Sequence, residues 1–335
     1  VVMRALLFKR DDYQKMLKMS FHEIAKFLQE YHYRKEINEL GTKYSGSDLL
    51  ELALNRNLAA SFKKLMRISS DELGLLIREY AKRKDIEDIK TIIRGKFTNA
   101  GENTISASIT GAGTLSHDFF MSLLKKDSVV QILKENKLAD FSLFKEGIKE
   151  LNEKRSLSGI ENALDKFYYD QLIQFSERLP KVGDLFSDFI QKEVEILNLL
   201  TMLRMKRSKS STDAIINFII KSGNKAKDAK MMERAGTEDI DHISKSLQKT
   251  EYGSLFAKGI EEFKKNGSLI ALEADLYKHL LKQSILFMHQ HPLSVDVILG
   301  YMFAKDIEVR NLRIMIKGKQ LGLSEQFIES QLIYE

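Results

Sequence analysis

One segment recurs three times along the chain, in altered form and at nearly constant spacing. It reads DIEDIKTIIRGK from Asp85 to Lys96, EILNLLTMLRMK from Glu195 to Lys206, and EVRNLRIMIKGK from Glu308 to Lys319. The cations two residues before each final lysine, Arg94, Arg204 and Lys317, lie 110 and 113 residues apart. Such regular spacing predicts one structural unit used three times, and this restricts the possible folds more than any other feature does.

The same offsets align residues outside this segment. Glu51 aligns with Glu161 at an offset of 110 and with Glu273 at an offset of 222. The match extends into the connections, where Ile105, Ile109 and Gly113 align with Ile215, Ile219 and Gly223. We therefore expect three similar helical domains at residues 1–97, 115–207 and 240–335, joined by connections at residues 98–114 and 208–239.

The chain should fold almost entirely into α-helices. Its 335 residues include 18 glycines and only 2 prolines, Pro180 and Pro292, which are expected to break helices. Alternating runs typical of strands are few. A helical period is clear instead, for example in the stripe formed by Leu50, Leu54, Leu58 and Phe62. These features predict an all-α fold.

Helix ends can also be predicted from local signals. Ser20 with Glu23 forms a capping box, and Ser324 is placed to cap a short closing helix. At the end of the first recurring segment, Gly95 suits the left-handed residue that follows a helix, and Arg94 suits the negative end of the helix dipole. The helix is therefore expected to end at Arg94 and Gly95. Ser294 should cap the last long helix.

Composition excludes several classes of protein. The chain has no cysteine, which rules out disulfides and thiolate chemistry and is typical of a reducing, cytoplasmic setting. Its net charge of +6 is spread over dense, interspersed charges of both signs, unlike the basic blocks of nucleic-acid-binding proteins. No apolar run reaches the roughly 20 residues of a membrane-spanning helix. Since the chain does not begin with methionine, we expect further residues before it.

No motif for catalysis, cofactor binding or metal binding is found. There is no phosphate-binding loop, and the glycines at 111 and 113 lack the third glycine and the preceding strand of a dinucleotide site. His289 and His291 have no further ligand at metal-binding spacing, so we interpret them as surface residues at a helix end. Glu87 and Asp88 could form a carboxylate pair, but they align with Leu197 and Asn198. The sequence predicts no catalytic residue, cofactor or metal.

Basic residues cluster on single faces of two recurring helices. Lys90 and Arg94 are four residues apart, and Arg310, Arg313 and Lys317 are three and four residues apart. One interpretation is that basic helix ends grip the acidic surface of a partner. The other is that the cations complement the helix dipoles and are solvated.

The chain resembles a known family over essentially all of its length. The resemblance is clearest over His291–Phe303, Glu308–Lys319 and Ile86–Lys96. These segments are similar to the C subunit of archaeal A-type ATP synthases, the equivalent of the d subunit of vacuolar-type ATPases. The resemblance implies three similar helical bundles around a pseudo-threefold axis, in the shape of a funnel.

The same resemblance implies a place in a rotor. One end of the subunit would cap the membrane ring of proteolipid subunits, and the other would receive the soluble central shaft. The subunit would transmit torque as a single copy on the cytoplasmic face of the membrane, monomeric in isolation. It would bind no ATP, ion, cofactor or nucleic acid, and would perform no catalysis.

We expect a basic or polar opening lined by the helices of Arg94, Arg204 and Lys317, and we predict that these three residues bind partner subunits. Two alternatives remain from the residues alone. One is a general helical scaffold that binds proteins or RNA, with RNA binding marked by a steep salt dependence. The other is an enzyme whose site is assembled between domains.

Overall fold

The structure, a computed structural model, describes residues 7–179, 183–237, 240–290 and 295–334, with residues 183–185, 287–290 and 295–296 described by their backbone alone. These residues form 18 α-helices, one short 3-10 helix at Phe141–Phe144 and no strand. The prediction of an all-α fold is confirmed. The predicted breaks at Pro180 and Pro292, and the predicted cap at Ser294, lie outside the described residues.

The α-helices are, in chain order, α1 (Arg10–Leu17), α2 (Phe21–Glu30), α3 (Arg34–Leu40), α4 (Gly46–Ile68), α5 (Asp71–Phe97), α6 (Glu102–Ser108), α7 (His117–Leu124), α8 (Val129–Glu135), α9 (Lys145–Lys154), α10 (Ser158–Glu177), α11 (Gly183–Arg207), α12 (Thr212–Phe218), α13 (Lys225–Gly236), α14 (Ile240–Leu247), α15 (Gly253–Asn266), α16 (Ile270–Gln290), α17 (Val295–Gln320) and α18 (Glu325–Gln331). They divide between two compact units.

The first unit contains residues 19–172 and 308–321, and therefore α2 to α9, most of α10 and the C-terminal part of α17. Its core includes the long helices α4 and α5. The apolar stripe predicted on α4 is confirmed, since Leu50, Leu54, Leu58 and Phe62 are each at most 1% exposed. The capping box at the start of α2 is also confirmed, with the Ser20 N–H donating to Glu23 at 2.7 Å.

The second unit contains the described residues of 7–18, 173–307 and 322–334, and therefore α1, the end of α10, α11 to α16, the N-terminal part of α17 and α18. Helix α11 is buried through Leu199, Leu200, Met202 and Leu203. The predicted cap of α18 is confirmed, because the Ser324 hydroxyl accepts from the Phe327 N–H at 3.2 Å.

The long helices that carry the recurring segment end at matching places. Helices α5, α11 and α17 end at Phe97, Arg207 and Gln320, which are again 110 and 113 residues apart. Two residues after each end, the chain has a residue in left-handed conformation, namely Asn99, Lys209 and Gly322. A helix of seven residues follows each time, as α6, α12 and α18. The two predicted connections thus contain helix themselves.

The predicted role of Gly95 is wrong. Helix α5 continues past it to Phe97, and the left-handed residue is Asn99, with φ of 54°. Gly95 is buried inside the helix, where a Cβ atom would lie 2.4 Å from the Ile105 side chain. Glycine is therefore required here by close packing against α6 rather than by the backbone conformation.

The substitution Gly95→Ala should destabilise the protein by about 1–3 kcal/mol, because the added methyl group overpacks the contact with Ile105. Helix propensity acts in the opposite direction by up to about 1 kcal/mol. Urea unfolding would measure the balance. Gly236→Ala is the matched control, since Gly236 is also helical and has no heavy atom within 4 Å of its Cβ position. A Gly95→Ala protein as stable as the control would contradict the packing argument.

Candidate functional site: the basic helix ends and their carboxylate partners

The three cations predicted from the sequence lie in the last turns of α5, α11 and α17. Their side chains are 59%, 48% and 59% exposed for Arg94, Arg204 and Lys317. Each of them nevertheless forms an ion pair within the chain. The interpretation of these cations as solvated helix-end charges is therefore incomplete, because each one also has a carboxylate partner.

The partners are three glutamates near helix N-terminal ends. Arg94 donates from Nε and Nη2 to the two carboxylate oxygens of Glu161 at 2.6 and 2.8 Å. Arg204 donates to Glu273. Lys317 Nζ lies 2.9 Å from Glu51 Oε1. Hydrogen bonding to Glu161 raises the pKa of Arg94. Carboxylates at N-terminal ends and cations at C-terminal ends also complement the helix dipoles.

The glutamates are the same residues that the sequence offsets align, although sequence reasoning assigned them no role. Each ion pair joins two successive predicted thirds. The pair of Arg94 joins the first third to the second, that of Arg204 the second to the third, and that of Lys317 the third to the first. Each pair lies within one compact unit.

A second polar contact accompanies two of these ion pairs, one turn earlier on the helix. Lys90 contacts Asp165, and Arg313 contacts Asn55. Burial raises the pKa of Asp165, and the Lys90 ammonium opposes that shift. The aligned position on α11 is Leu200, which is buried. On the basic faces predicted for α5 and α17, Lys90 and Arg313 thus contact polar side chains of the chain itself.

Asp85, Glu195 and Glu308 lie at equivalent positions two to three turns before these cations. Asp85 and Glu308 are 0% and 2% exposed, and the Glu195 side chain is 19% exposed. Burial raises the pKa of Asp85 and of Glu195. The sequence has a carboxylate at the same position in all three recurring segments, and this regularity could have marked these residues. Whether the carboxylates are buried could not be predicted from the sequence of one chain.

Each of these carboxylates contacts another third or the connection that leads to it. Asp85 accepts from the N–H of Thr114 and of Leu115 at 2.8 and 3.0 Å. Glu195 lies 3.8 Å from Arg234, in the connection to the third domain. Glu308 has two partners on the first third. It accepts from the Tyr33 hydroxyl at 2.7 Å and lies 3.1 Å from His32 Nε2.

Asp88 and its aligned residue Asn198 bind backbone in the connections. The N–H groups of Thr110 and Gly111 each donate to the Asp88 carboxylate at 2.8 Å. Asn198 accepts from the Ile220 N–H at 2.9 Å and donates to the Ile220 carbonyl at 2.7 Å. These side chains position loops.

The carboxylate pair considered at Glu87 and Asp88 does not form a shared site. Glu87 lies 2.6 Å from Lys84, whereas Asp88 is 1% exposed. Within the described ranges, no group of three metal-ligating side chains comes together. The His289 side chain and all of His291 lie outside the described residues. No described helix is long and apolar enough to cross a membrane.

Comparison with known proteins relates the whole chain to one family. A family model described as ATP synthase (C/AC39) subunit matches residues 1–331. The C subunit of the A-type ATP synthase from Methanococcoides burtonii is 38% identical over 333 residues, covering 99% of this chain and 91% of the relative. The protein of the same name from Methanosarcina acetivorans is 35% identical, covering 99% and 90%. That of Halobacterium salinarum is 31% identical, covering 98% and 94%.

Proposed function

Because the chain belongs to the ATP synthase (C/AC39) subunit family, we propose that it is the non-catalytic central-stalk subunit of an A/V-type ATP synthase. It joins the membrane ring of proteolipid subunits to the soluble central shaft and transmits torque between them. It serves ATP synthesis driven by protons or sodium ions, as a peripheral subunit on the cytoplasmic face of the membrane. One copy is present in each complex.

We further propose that the three thirds of the chain are equivalent domains arranged in a cycle around a pseudo-threefold axis. The observation that best supports this is the set of three ion pairs at aligned positions, each joining one third to the next. The matching ends of α5, α11 and α17 support the same arrangement. Aligned contacts of this kind are expected when one domain is repeated.

Torque transmission requires that the domains keep their orientation under load. Half-exposed ion pairs contribute only about 0.2–1 kcal/mol each, so they do not hold the domains together by themselves. Densely packed helix cores resist deformation and supply the stiffness. The ion pairs instead fix the relative register of neighbouring helices, since a misaligned charge loses its partner.

Arg94, Arg204 and Lys317 are proposed to bind partner subunits as well, at a basic or polar opening. Roughly half of each side chain remains exposed while the ion pair is formed. Charged groups of this kind steer an acidic partner and contribute to specificity. Because each cation also forms an ion pair within the chain, reversing the three charges alone would disturb both partner binding and the internal contacts.

A charge swap separates these two roles. The triple reversal combines R94E, R204E and K317E, and the triple swap adds E161R, E273R and E51K. The reversal should lower the melting temperature, because each ion pair becomes a pair of like charges, at a cost of up to about 1 kcal/mol per site. The swap should restore the melting temperature. If the cations also bind partners, incorporation into the ATP synthase complex should remain impaired in the swap.

Co-purification of the protein with the complex from native membranes measures incorporation. The control combines K64E, K149E and K265E, three exposed lysines whose reversal changes the net charge as much as the triple reversal does. A swap that assembles like the unmodified protein would show that the cations serve only the internal contacts. A protein that never co-purifies with ATP synthase subunits would favour the general scaffold instead.

A further inference from the structure

A partly open cavity of about 360 Å³ lies between α13 and α14, within the second unit. Its volume is near the lower end of the range of small-molecule sites, about 300–1,000 Å³. The cavity therefore has room for a small compound and a few water molecules. The residues that line it are Lys230, Glu233 and Arg234 of α13, His242 and Ser246 of α14, and Lys249 and Thr250 of the turn that follows.

Arg234 occupies a position that is apolar in the preceding third of the chain. The buried residues of α13 are Met231, Arg234 and Ala235, and those of α7 are Phe120, Leu123 and Leu124. Both sets have the same spacing and align at an offset of 111, so Arg234 corresponds to Leu123. Since leucine fits at this position of the repeated helix, packing alone does not require a cation there.

The other charges of the cavity are also missing from the preceding third. The same offset aligns Ile243 of α14 with Ile132 of α8, and both side chains are fully buried. In this register the cavity residues correspond to Phe119, Ser122, Leu123, Gln131, Glu135, Leu138 and Ala139, none of which is a cation. The basic cavity is therefore an addition to the repeated helix pair and not a requirement of its fold.

The guanidinium group of Arg234 is buried and incompletely hydrogen-bonded. Its side chain is 10% exposed. Nε donates to the Ser246 hydroxyl at 3.1 Å, whereas Nη1 lies 3.8 Å from Glu195 Oε1, which is beyond hydrogen-bond distance. Neither Nη group donates a hydrogen bond to any residue that the structure describes. Because buried N–H groups without an acceptor are costly, an acceptor in the adjoining cavity would stabilise Arg234 in this position.

Positive charge exceeds negative charge around the cavity. Lys230 and Lys249 are exposed, and neither forms an ion pair with a described residue. Together with Arg234 they bring three cations to the cavity, against one lining carboxylate, that of Glu233. The lining therefore favours a ligand with about two negative charges.

The hydroxyl groups of the cavity cannot donate to a ligand without giving up bonds within the chain. The Ser246 hydroxyl donates to the Ile243 carbonyl at 2.7 Å, and the Thr250 hydroxyl donates to the Leu247 carbonyl at 2.6 Å. The N–H groups of the cations are the donors that remain, and lysine and arginine have no acceptor to offer. The cavity is thus suited to a ligand rich in acceptor oxygens.

We propose that this cavity binds a phosphate group, either that of inorganic phosphate or that of a small phosphate monoester. A phosphate monoester carries about −1.5 to −2 charges at pH 7 and three strong acceptor oxygens. Arg234 provides the planar fork that binds two of these oxygens, and Lys230 and Lys249 neutralise the remaining charge. The inference does not depend on the proposed rotor function.

A ligand in this cavity would connect two parts of the chain. Helix α13 lies in the connection predicted at residues 208–239, whereas α14 lies in the last third. A phosphate group that contacts both helices would hold the connection against the third that follows it. Since only the folded protein has this cavity, binding would also stabilise the folded state.

Isothermal titration calorimetry of the whole protein tests the site, with inorganic phosphate in one series and glycerol 3-phosphate in another. Ionic strength is kept constant with potassium chloride, so that the screening of surface charges does not change. We expect saturable binding of at least one of the two compounds, and the tighter one identifies the source of the phosphate group. Acetate should bind at least about tenfold more weakly, because it has less charge and fewer acceptor oxygens.

Substitutions of exposed residues test the location of the site without disturbing the core. K230A/K249A should raise the dissociation constant at least about tenfold, because two cations of the cavity are lost. The matched control is K245A/K258A, which removes two exposed lysines outside the cavity and should bind phosphate like the unmodified protein. E233Q removes the repelling carboxylate and should lower the dissociation constant about two- to fivefold.

Arg234→Leu introduces the residue that the preceding third has at this position, and it should abolish binding. The substitution also leaves Glu195 without its ion-pair partner, so circular dichroism must first show that the variant is folded. If it does not fold, K230A/K249A and E233Q decide the question.

The opposite results are equally clear. The proposal is overturned if neither phosphate compound binds saturably or if acetate binds as tightly as they do. It is also overturned if K230A/K249A binds like the unmodified protein, if K245A/K258A loses as much affinity as K230A/K249A, or if E233Q does not gain affinity.

Discussion

Replacing Gly113 by alanine is expected to lower the free energy of unfolding by about 3–5 kcal/mol, the range typical of a buried charge that loses its partners. A Cβ atom at this position would lie 2.1 Å from Asp85 Oδ1 and 2.6 Å from Oδ2. The Asp85 carboxylate is 0% exposed and cannot move toward water. Moving it away would break its hydrogen bonds to the N–H and hydroxyl of Thr114 and to the N–H of Leu115.

Urea unfolding with a fixed m-value would measure the effect, and Gly236→Ala again serves as the open-space control. A double-mutant cycle sharpens the test. Once Asp85→Ala has removed the carboxylate, adding Gly113→Ala should cost little, so the two substitutions should be strongly non-additive. Additive effects, or a Gly113→Ala protein within about 1 kcal/mol of the unmodified one, would contradict this explanation.

The second large effect is a pH dependence of stability that originates at Asp88. Burial raises the pKa of Asp88 to about 6, against the opposing hydrogen bonds from Thr110 and Gly111. In the unfolded chain an aspartate titrates near about 3.9. The folded state therefore binds more protons between these values, and the free energy of unfolding falls as the pH rises from about 4 to about 6.

A difference of about two pH units corresponds to about 3 kcal/mol. Asp88→Asn removes this titration while Asp85 and every other group titrate as before. The stability of the unmodified protein relative to Asp88→Asn should thus increase by about 2–3 kcal/mol as the pH is lowered from about 7 to about 4. At neutral pH the substitution should itself cost about 1–3 kcal/mol, because the amide NH₂ would face a backbone N–H.

Asn198→Asp is the reciprocal control. The Ile220 carbonyl, which now accepts from Asn198 at 2.7 Å, would then face a carboxylate oxygen. The variant should be destabilised at neutral pH and should recover stability as the pH falls and the new carboxyl is protonated. If the stability of both Asp88→Asn and Asn198→Asp, each relative to the unmodified protein, did not depend on pH, the titration could not be assigned to this position.

Local features of the sequence were sufficient to predict the helices. Helix formation depends on hydrogen bonds within a few residues and on the period of apolar side chains, both of which one chain displays. The capping residues Ser20 and Ser324 were predicted correctly for this reason. The expectation for Gly95 failed because glycine at this position is required by the close contact with Ile105 on another helix and not by the backbone conformation of a helix end, so α5 continues to Phe97.

The sequence by itself also determined the period of the chain, the alignment of Glu51 with Glu161 and Glu273, and, through its resemblance to known proteins, the family. Only the tertiary structure decided that these glutamates neutralise Lys317, Arg94 and Arg204. Partners such as Tyr33 and Glu308 are brought together by the packing of apolar helix faces. That packing depends on the whole core, so no local pattern along the chain encodes which polar groups it will bury next to each other.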